Sequence, residues 1–482
     1  MRRIVLLSLA AAFLLTTAVT SMAATEVQMT GDARIYANFW SKLNYTGWNP
    51  TGTQTADAVT IWERFRLRSD FIANEGLKFR LGIRVNDTAW GNNTFTVDNP
   101  AVSIQVYQAY MQFKWPNTDV QFTVGLQDLA LPISNPMLNG NPILSNTQGA
   151  AAVVSIPVAD QFQIIAGFTR LGETNAAFQT NTTQTADNLD AYFMALPITL
   201  EGFQATPWGV FSYAGKQSPL GATATGTFPR YMESNILVNA ESASLVGQGI
   251  RTPYNPCFWA GTTLAVTALD PFKFYGDAMY GIVNTTTAKR DIRHGWFFDA
   301  ATEYTGLDMM TPQLTFWYST GEDGSMRNGS ERMPFVVNEW GPTNSFLFDT
   351  GQSFGGGHMP VNSVGSWGLV AGLDKISFIK DLTHRLAFTF ANGTNDPRAL
   401  RQANILIGPG NYVQIGRDLT TKEYVYGVNF DNQYNIYENL ALILETGWSH
   451  GNFQTSVWGH RLANATRDGD AWKAAIGLTY KF

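Results

Sequence analysis

Cysteine is nearly absent from this 482-residue sequence: Cys257 stands alone, so no intrachain disulfide can form. Charge is scarce too. Asp, Glu, Lys and Arg supply 15% of the chain, against roughly 25% in soluble domains. The formal net charge of -6 argues against nucleic acid as a partner. Beyond the first two dozen residues no long apolar run occurs, which excludes a helical membrane protein. Five histidines, His294, His358, His384, His450 and His460, are scattered without the paired spacing of metal ligands. Gly355-Gly356-Gly357-His358 is not followed by the helix that a phosphate cradle needs. No repeat, low-complexity tract or linker divides the chain. We therefore expect a single domain with neither metal nor cofactor.

Glycine (44 residues) and aromatics (13%) are what the chain has in abundance. Its start, Met1-Arg2-Arg3, leads into an apolar run from Ile4 to Leu15 and a small-residue exit at Ser21-Met22-Ala23-Ala24. A basic start, a short hydrophobic core and an Ala-x-Ala-like site describe a secretory signal peptide. The run is too short for a membrane-spanning helix, which needs ~20 apolar residues. Residues 1–23 are the expected signal peptide and 24–482 the mature domain. Loss of Arg2 and Arg3 leaves the mature chain more acidic.

The decisive pattern has period two. Successive residues of a strand face opposite sides of a sheet, so a wall between lipid and water alternates apolar with polar. Over 27–39, Val27, Met29, Gly31, Ala33, Ile35, Ala37 and Phe39 interleave with Gln28, Thr30, Asp32, Arg34, Tyr36 and Asn38. Phe65, Leu67 and Phe71 then oppose Arg64, Arg66, Arg68 and Asp70. Leu77, Phe79, Leu81, Ile83 and Val85 next oppose Lys78, Arg80, Arg84 and Asn86. Further strands are expected near 107–115, 120–127, 150–157, 161–170, 188–196, 203–213, 257–268 and 272–283. The rest fall near 295–304, 313–319, 364–373, 384–391, 422–432, 439–449 and 471–482.

Connections alternate in length. Short ones lie at Asn74-Glu75-Gly76, 116–119, 157–160, Asp270-Pro271 and 434–439; long ones at 41–57, 129–149, 214–255, 320–363 and 392–421. The fold class that follows is all-β. It is a transmembrane antiparallel β-barrel of 18 strands with short periplasmic turns and long extracellular loops. Sixteen strands is the alternative, because 150–157 and 188–196 alternate least cleanly. Two aromatic belts are expected at the membrane interfaces. Phe71, Phe79, Phe113, Trp115, Phe122, Phe274 and Tyr480 belong to one; Phe39, Tyr280, Tyr318, Trp448 and Trp472 to the other. Glu63 misfits, having lipid-facing parity, and belongs at a rim or in a subunit contact. Cys257 is expected to pack as a small hydrophobe at a strand end.

The chain ends on Trp472-Lys473-Ala474-Ala475-Ile476-Gly477-Leu478-Thr479-Tyr480-Lys481-Phe482. Its outward row, with Ile476, Leu478, Tyr480 and Phe482, resembles the terminal strand by which outer-membrane barrels are recognised for assembly. Gln108-Ala109-Tyr110-Met111-Gln112-Phe113 and Phe122-Thr123-Val124-Gly125-Leu126-Gln127 resemble the fourth and fifth strands of trimeric general porins. Ser377-Phe378-Ile379-Lys380-Asp381-Leu382-Thr383-His384-Arg385-Leu386, with Gly393-Thr394-Asn395-Asp396, resembles the homotrimeric porins of sulfate-reducing bacteria. The resemblance implies an outer-membrane porin, a homotrimer and an infolded third loop. It implies as partners the outer-membrane lipid and lipopolysaccharide, the barrel assembly machinery and small hydrophilic solutes. The loop, over 128–149, lacks the Pro-Glu-Phe-Gly-Gly pattern common among general porins. Its polar residues are Asp128, Ser134, Asn135, Asn139 and Asn141 among others.

Arg34, Arg64, Arg66, Arg68, Lys78, Arg80 and Arg84 share lumen parity on three neighbouring strands. They form an expected basic wall, and charged rings of this kind set ion selectivity in pores. The loop facing it carries one carboxylate, Asp128, at its edge, so a neutral-to-anion preference is expected. Acids at Glu322, Asp323, Glu331 and Glu339 read as a solvated loop, with Ca²⁺ binding as the other option. Passive diffusion through a non-enzymatic porin is the leading reading. A substrate-selective sugar or anion channel is the alternative, and a barrel enzyme or surface adhesin ranks third. Protein extracted from outer membranes should begin at Ala24 on N-terminal sequencing. A chain still starting at Met1, or found in the cytosol, contradicts the leader assignment.

Overall fold

Residues that alternate in the sequence alternate across a closed wall. The structure is a computed structural model that describes residues 26–42, 44–47, 58–89, 103–145, 147–173, 188–215, 254–283, 292–325, 329–335, 341–348, 353–354, 361–401, 415–467 and 469–482. The expected leader and cleavage site lie outside these residues, as do His358 and Glu339. The strands are β1 (Glu26–Ser41), β2 (Ala58–Asn74), β3 (Leu77–Ala89), β4 (Gln105–Lys114), β5 (Gln121–Leu129) and β6 (Thr147–Ala159). There follow β7 (Phe162–Glu173), β8 (Asn188–Ala195, resuming at Ile198–Leu200), β9 (Phe203–Gly215), β10 (Tyr254–Val266), β11 (Phe272–Val283) and β12 (Arg293–Tyr304). The last six are β13 (Thr311–Ser319), β14 (Ser366–Ile379), β15 (Leu382–Gly393), β16 (Tyr424–Tyr437), β17 (Leu440–Asn452) and β18 (Ala471–Lys481).

Both pieces of β8 pair with β7 and β9, so they form one strand of the wall. Its break falls at Leu196-Pro197, where proline has no N–H for the ladder. The count is therefore eighteen, and β6 and β8, the two strands in doubt, are both present. Every strand pairs antiparallel with its successor and β18 returns to β1. No described helix is long and apolar enough to cross a membrane. One element outside the strand reading is the helix α1 (Thr455–Ala465), between β17 and β18. The Glu423 carboxylate accepts the Gln454 N–H at 2.7 Å and Trp458 Nε1–H at 2.8 Å, tying down the start of that helix.

The seam runs from Asp32 opposite Lys481 to Ser41 opposite Trp472. Beyond it, Gly31 and Phe482 exchange backbone hydrogen bonds of 2.8 and 3.1 Å. The Phe482 ring lies over the outward face of Gly31, where an added Cβ would stand 2.4 Å from its Cζ. Phe65 and Tyr480 flank that ring, at centroid distances of 6.3 and 5.7 Å. The smallness of Gly31 thus has a reason within the chain itself.

Outward rows are apolar as expected, with Phe39, Phe71, Phe79, Trp115, Phe274, Tyr318, Trp472 and Tyr480 all exposed on the wall. Glu63 holds outward parity opposite Ile35, near the long-loop end of β2. A second charge on that face is Arg170. It is register-matched to Asp190 and bonded to it at 2.8 and 3.0 Å, again near the long-loop rim.

The inward face departs from simple alternation. On β1 to β5 it is mainly polar, with Tyr36 and Trp62 as apolar exceptions at the seam. On β8 to β14 it presents Leu189, Ala191, Trp208, Val210, Cys257, Trp259, Met279, Phe297, Trp317 and Val370, all buried. Leu131, Leu138, Ile143, Leu144, Met333, Phe335 and Phe346 to Phe348, from the long loops, cover them in one apolar cluster. The loops bury this surface because an apolar lumen wall facing water would be unfavourable. Cys257 is part of that packing, near one end of β10, as expected. Replacing Gly31 by Val, or deleting Phe482, should cut the yield of closed barrels severalfold. Loss of heat-modifiable mobility on gels reads this directly, and full yield from both variants would remove the terminal ring from closure.

Candidate functional site: the lumen between a basic wall and two infolded loops

Strand pairing brings the seven predicted cations together. Arg34 stands opposite Arg64, Arg66 opposite Arg84, and Asp70 opposite Arg80. Like charges directly opposed on neighbouring strands destabilise each other unless compensated. Compensation is larger here than the sequence suggested. Asp32 accepts Arg64 and Arg66, both at 2.8 Å. Asp70 takes Arg80 through two bonds of 2.5 Å and has Lys78 at 3.9 Å. Arg34 donates to the Ser353 carbonyl at 2.7 Å. Among the described residues Arg84 reaches glutamine oxygens, on Gln105 and Gln148, each at 3.4 Å. The Nε of Arg68 is buried without a hydrogen-bond partner. Arg34, Arg80 and Arg84 also lie over the rings of Tyr36, Tyr110 and Tyr107, at 5.4, 5.9 and 5.2 Å. Arginine favours such stacked positions because its planar cation is weakly hydrated.

The third long connection does fold inward, and it crosses to the far wall. Ser134 and Asn135 donate their backbone N–H groups to Asp277, at 2.9 and 3.2 Å. Asn135 Nδ2 donates to Asp299 at 2.9 Å. These two acids are register partners on β11 and β12. Asn141 shapes the loop internally, accepting the Ile143 N–H and donating to the Pro132 carbonyl. Asn135 is 1% exposed and Asn141 0%. They hold the loop in place and do not line water. Asn139 donates its backbone N–H to the Gly341 carbonyl at 2.9 Å. Asp128 sits at the loop's base, on β5, accepting from Gln108 and Gln148 at 2.6 and 2.8 Å.

A second infolded stretch, over 341–348 and 353–354, was not foreseen. It meets the first where Leu138 bridges Pro342. Thr343 and Ser345 then bond Arg385 and Thr389 of β15. Phe346 rests on Gly427 and Gly447, where a Cβ at either position would stand within about 3.1 Å of its ring. The apolar stretches Met333-Pro334-Phe335-Val336-Val337 and Phe346-Leu347-Phe348 within this connection were the signal available in the sequence. The acids Asp277, Asp299, Asp431 and Glu445 carried one too, since all keep lumen parity.

In the loops outside the wall, Glu322 turns inward and accepts the Ser330 hydroxyl at 2.6 Å. Arg332, fully buried, pairs with Asp418 at 2.6 Å. No group of three potential metal ligands lies together among the described residues. Of the histidines, His384 meets Asn432 and His450 meets Asp470 at 2.8 Å, on separate strands.

Among solved structures, the chain is similar to the outer membrane protein OprD from Pseudomonas aeruginosa. The TM-score is 0.51 and the identity 12%, over 96% of each chain. OccK11 (OpdR) of Pseudomonas aeruginosa gives 0.51 at 10% identity, over 95% of this chain and 96% of that one. OpdL of the same species gives 0.51 at 9%, over 95% and 99%. The fold is that of an eighteen-stranded outer-membrane barrel. No family model matches the sequence, and no curated protein matches it.

Burial pushes the Glu322 carboxyl up to about 8 from 4.5; the Glu331 charge adds to this, while Ser330 and the nearby arginines oppose it. The folded loop therefore holds a proton that the unfolded loop releases near pH 4.5. Its stabilisation is complete below that pH and is lost as pH rises through about 8. Protease susceptibility of the 320–335 region should rise by about a hundredfold between pH 6 and 9, the equivalent of about two pKa units. Glu322→Gln should flatten that rise, and an unchanged rise would assign it elsewhere.

Proposed function

We propose that the barrel is a passive outer-membrane channel for small hydrophilic solutes that prefers anions, and that a substrate-selective pore fits better than a general one. The observation that carries this is the division of the lumen by charge. Cations line β1 to β3, with Arg66 35% and Lys78 31% exposed. Acids elsewhere on the inward wall are committed to other groups. Asp277 and Asp299 hold the third loop, Asp431 holds Arg385 at 3.0 Å, and Glu445 accepts N–H groups from Ser353 and Phe354. Glu303, on β12, takes Tyr275 and Gln313. A basic wall only partly offset by Asp32 and Asp70 concentrates anions in a narrow aqueous path.

The sugar reading is weaker, because Tyr36, Tyr107 and Tyr110 on the basic wall have guanidinium groups over their rings. No catalytic step or cofactor enters this reading. Ile476 and Leu478, exposed on β18, and Tyr480 and Phe482 in the same outward row, support the assembly-signal role and hence the barrel assembly machinery as a partner. Outer-membrane lipid and lipopolysaccharide belong against the two aromatic belts. Homotrimer formation stays within the proposal. Ala33 and Ala37 support close approach of another copy, although Phe482 already occupies Gly31.

Replacing Arg66 and Arg84 by Gln tests the anion preference. At about 0.15 M salt the Debye length is about 8 Å, so wall charges still bias passing ions; at about 1 M it is about 3 Å. Wild-type channels in a low-salt gradient should give neutral to anion-favouring reversal potentials. The double variant should shift them toward cations, with conductance little reduced and the shift fading at about 1 M. A reversal potential unmoved at low salt would falsify the basic-wall reading.

A further inference from the structure

Ser353 and Phe354 sit against the wall at the seam, in a seat built from three strands. From β17, the Glu445 carboxylate accepts the Ser353 N–H and, at 3.2 Å, the Phe354 N–H. From β18, Lys473 Nζ donates to the Phe354 carbonyl at 2.7 Å. From β1, Arg34 donates to the Ser353 carbonyl at 2.7 Å. The Tyr36 ring stacks on the Phe354 ring, with centroids 4.6 Å apart and planes 10° apart. Phe354 is 0% exposed, Glu445 1% and Lys473 7%. Two successive peptide units thus have their N–H and C=O groups taken up by side chains of matched polarity.

Polarity is the informative part. Glu445 and Lys473 are 3.8 Å apart, which by itself describes only a loose ion pair along the wall. Their shorter contacts are with the backbone of the incoming segment, acid to N–H and ammonium to C=O. A buried charge needs partners of this kind, and here the segment supplies them. The seat also spans the junction of first and last strands, so it exists only once β18 has met β1.

We propose that Glu445 and Lys473 are positioning residues that hold the Ser353–Phe354 segment across the seam side of the lumen, setting the bore of the aqueous path. The segment docks after closure, because its seat is divided between the two ends of the chain. This rests on the channel reading for its effect on conductance, but not for its structural content.

The test is a charge swap, Glu445→Lys with Lys473→Glu, compared with Glu445→Leu, Lys473→Met and Phe354→Ala. Two readouts are taken: amide exchange at Ser353 and Phe354, and single-channel conductance in planar bilayers. If the two residues act through the peptide backbone, the swap reverses both polarities against the segment. It should then lose amide protection as fully as the single variants do, with conductance raised in all four. Restoration of wild-type protection and conductance by the swap would reduce the pair to a wall ion pair and overturn the proposal. Amides that stay protected in every variant would overturn it too. Phe354→Ala leaves the wall side chains intact, so it gives the answer even where a wall variant fails to assemble. A wild-type barrel that conducts nothing would refute the channel reading, while the exchange data would still decide the seat.

Discussion

Inside hydrocarbon a peptide group has no water to bond, so each N–H and C=O of a spanning segment must find a partner in the protein. A sheet meets that demand only by closing on itself. Closure puts β18 against β1, and with an even number of strands it returns both ends of the chain to the short-turn rim. All the long connections then emerge at the other rim, where they have room either to stand in solvent or to turn into the barrel. Among the described residues, those of the 129–149 and 320–363 connections turn in. The architecture of the lumen is thus a consequence of the hydrogen-bonding rule that governs the wall.

What the infolded loops accomplish depends on where the wall is apolar. Trp208, Trp259, Phe297 and Trp317 project inward from β9, β10, β12 and β13, and the loops bury them under Leu131, Leu138, Phe346 and Phe348. The proposed aqueous path keeps to the side carrying Arg66, Arg80 and Arg84. Charge follows the same division. Acids on the packed side serve as anchors for loop backbone or as ion-pair partners, while on the open side Asp32 and Asp70 partly offset the cations. A barrel with many inward carboxylates would, on the proposed reading, keep a basic aqueous surface.

Period-two alternation made the wall legible in the sequence, because lipid and lumen impose opposite demands on neighbouring residues. The basic constellation was legible for the same reason, since Arg64, Arg66 and Arg68 occupy successive lumen positions of one strand. That Asp32 and Asp70 compensate a part of it was legible as well, but not how fully, because that depends on inter-strand register, which parity leaves open. Nor did parity distinguish a lumen position facing water from one facing a loop. Trp317 and Arg84 both read as inward, yet one is buried in apolar packing and the other reaches over Tyr107. Asn135 and Asn141 looked like pore-lining polar groups and proved to be buried supports, since a loop crossing the lumen must satisfy its own backbone.

The packed side of the lumen also separates two quantities that strand number would otherwise link. In an empty barrel, circumference fixes cross-section. Here the perimeter is set by eighteen strands, while the passage is set by how far the loops advance into it. Such a cylinder behaves as an eccentric conduit, its clear span adjustable by a change of a few side chains with the hoop left untouched. Resizing it for larger cargo, by design or by drift, is therefore a matter of carving the filler, and adding strands would enlarge the frame to little purpose.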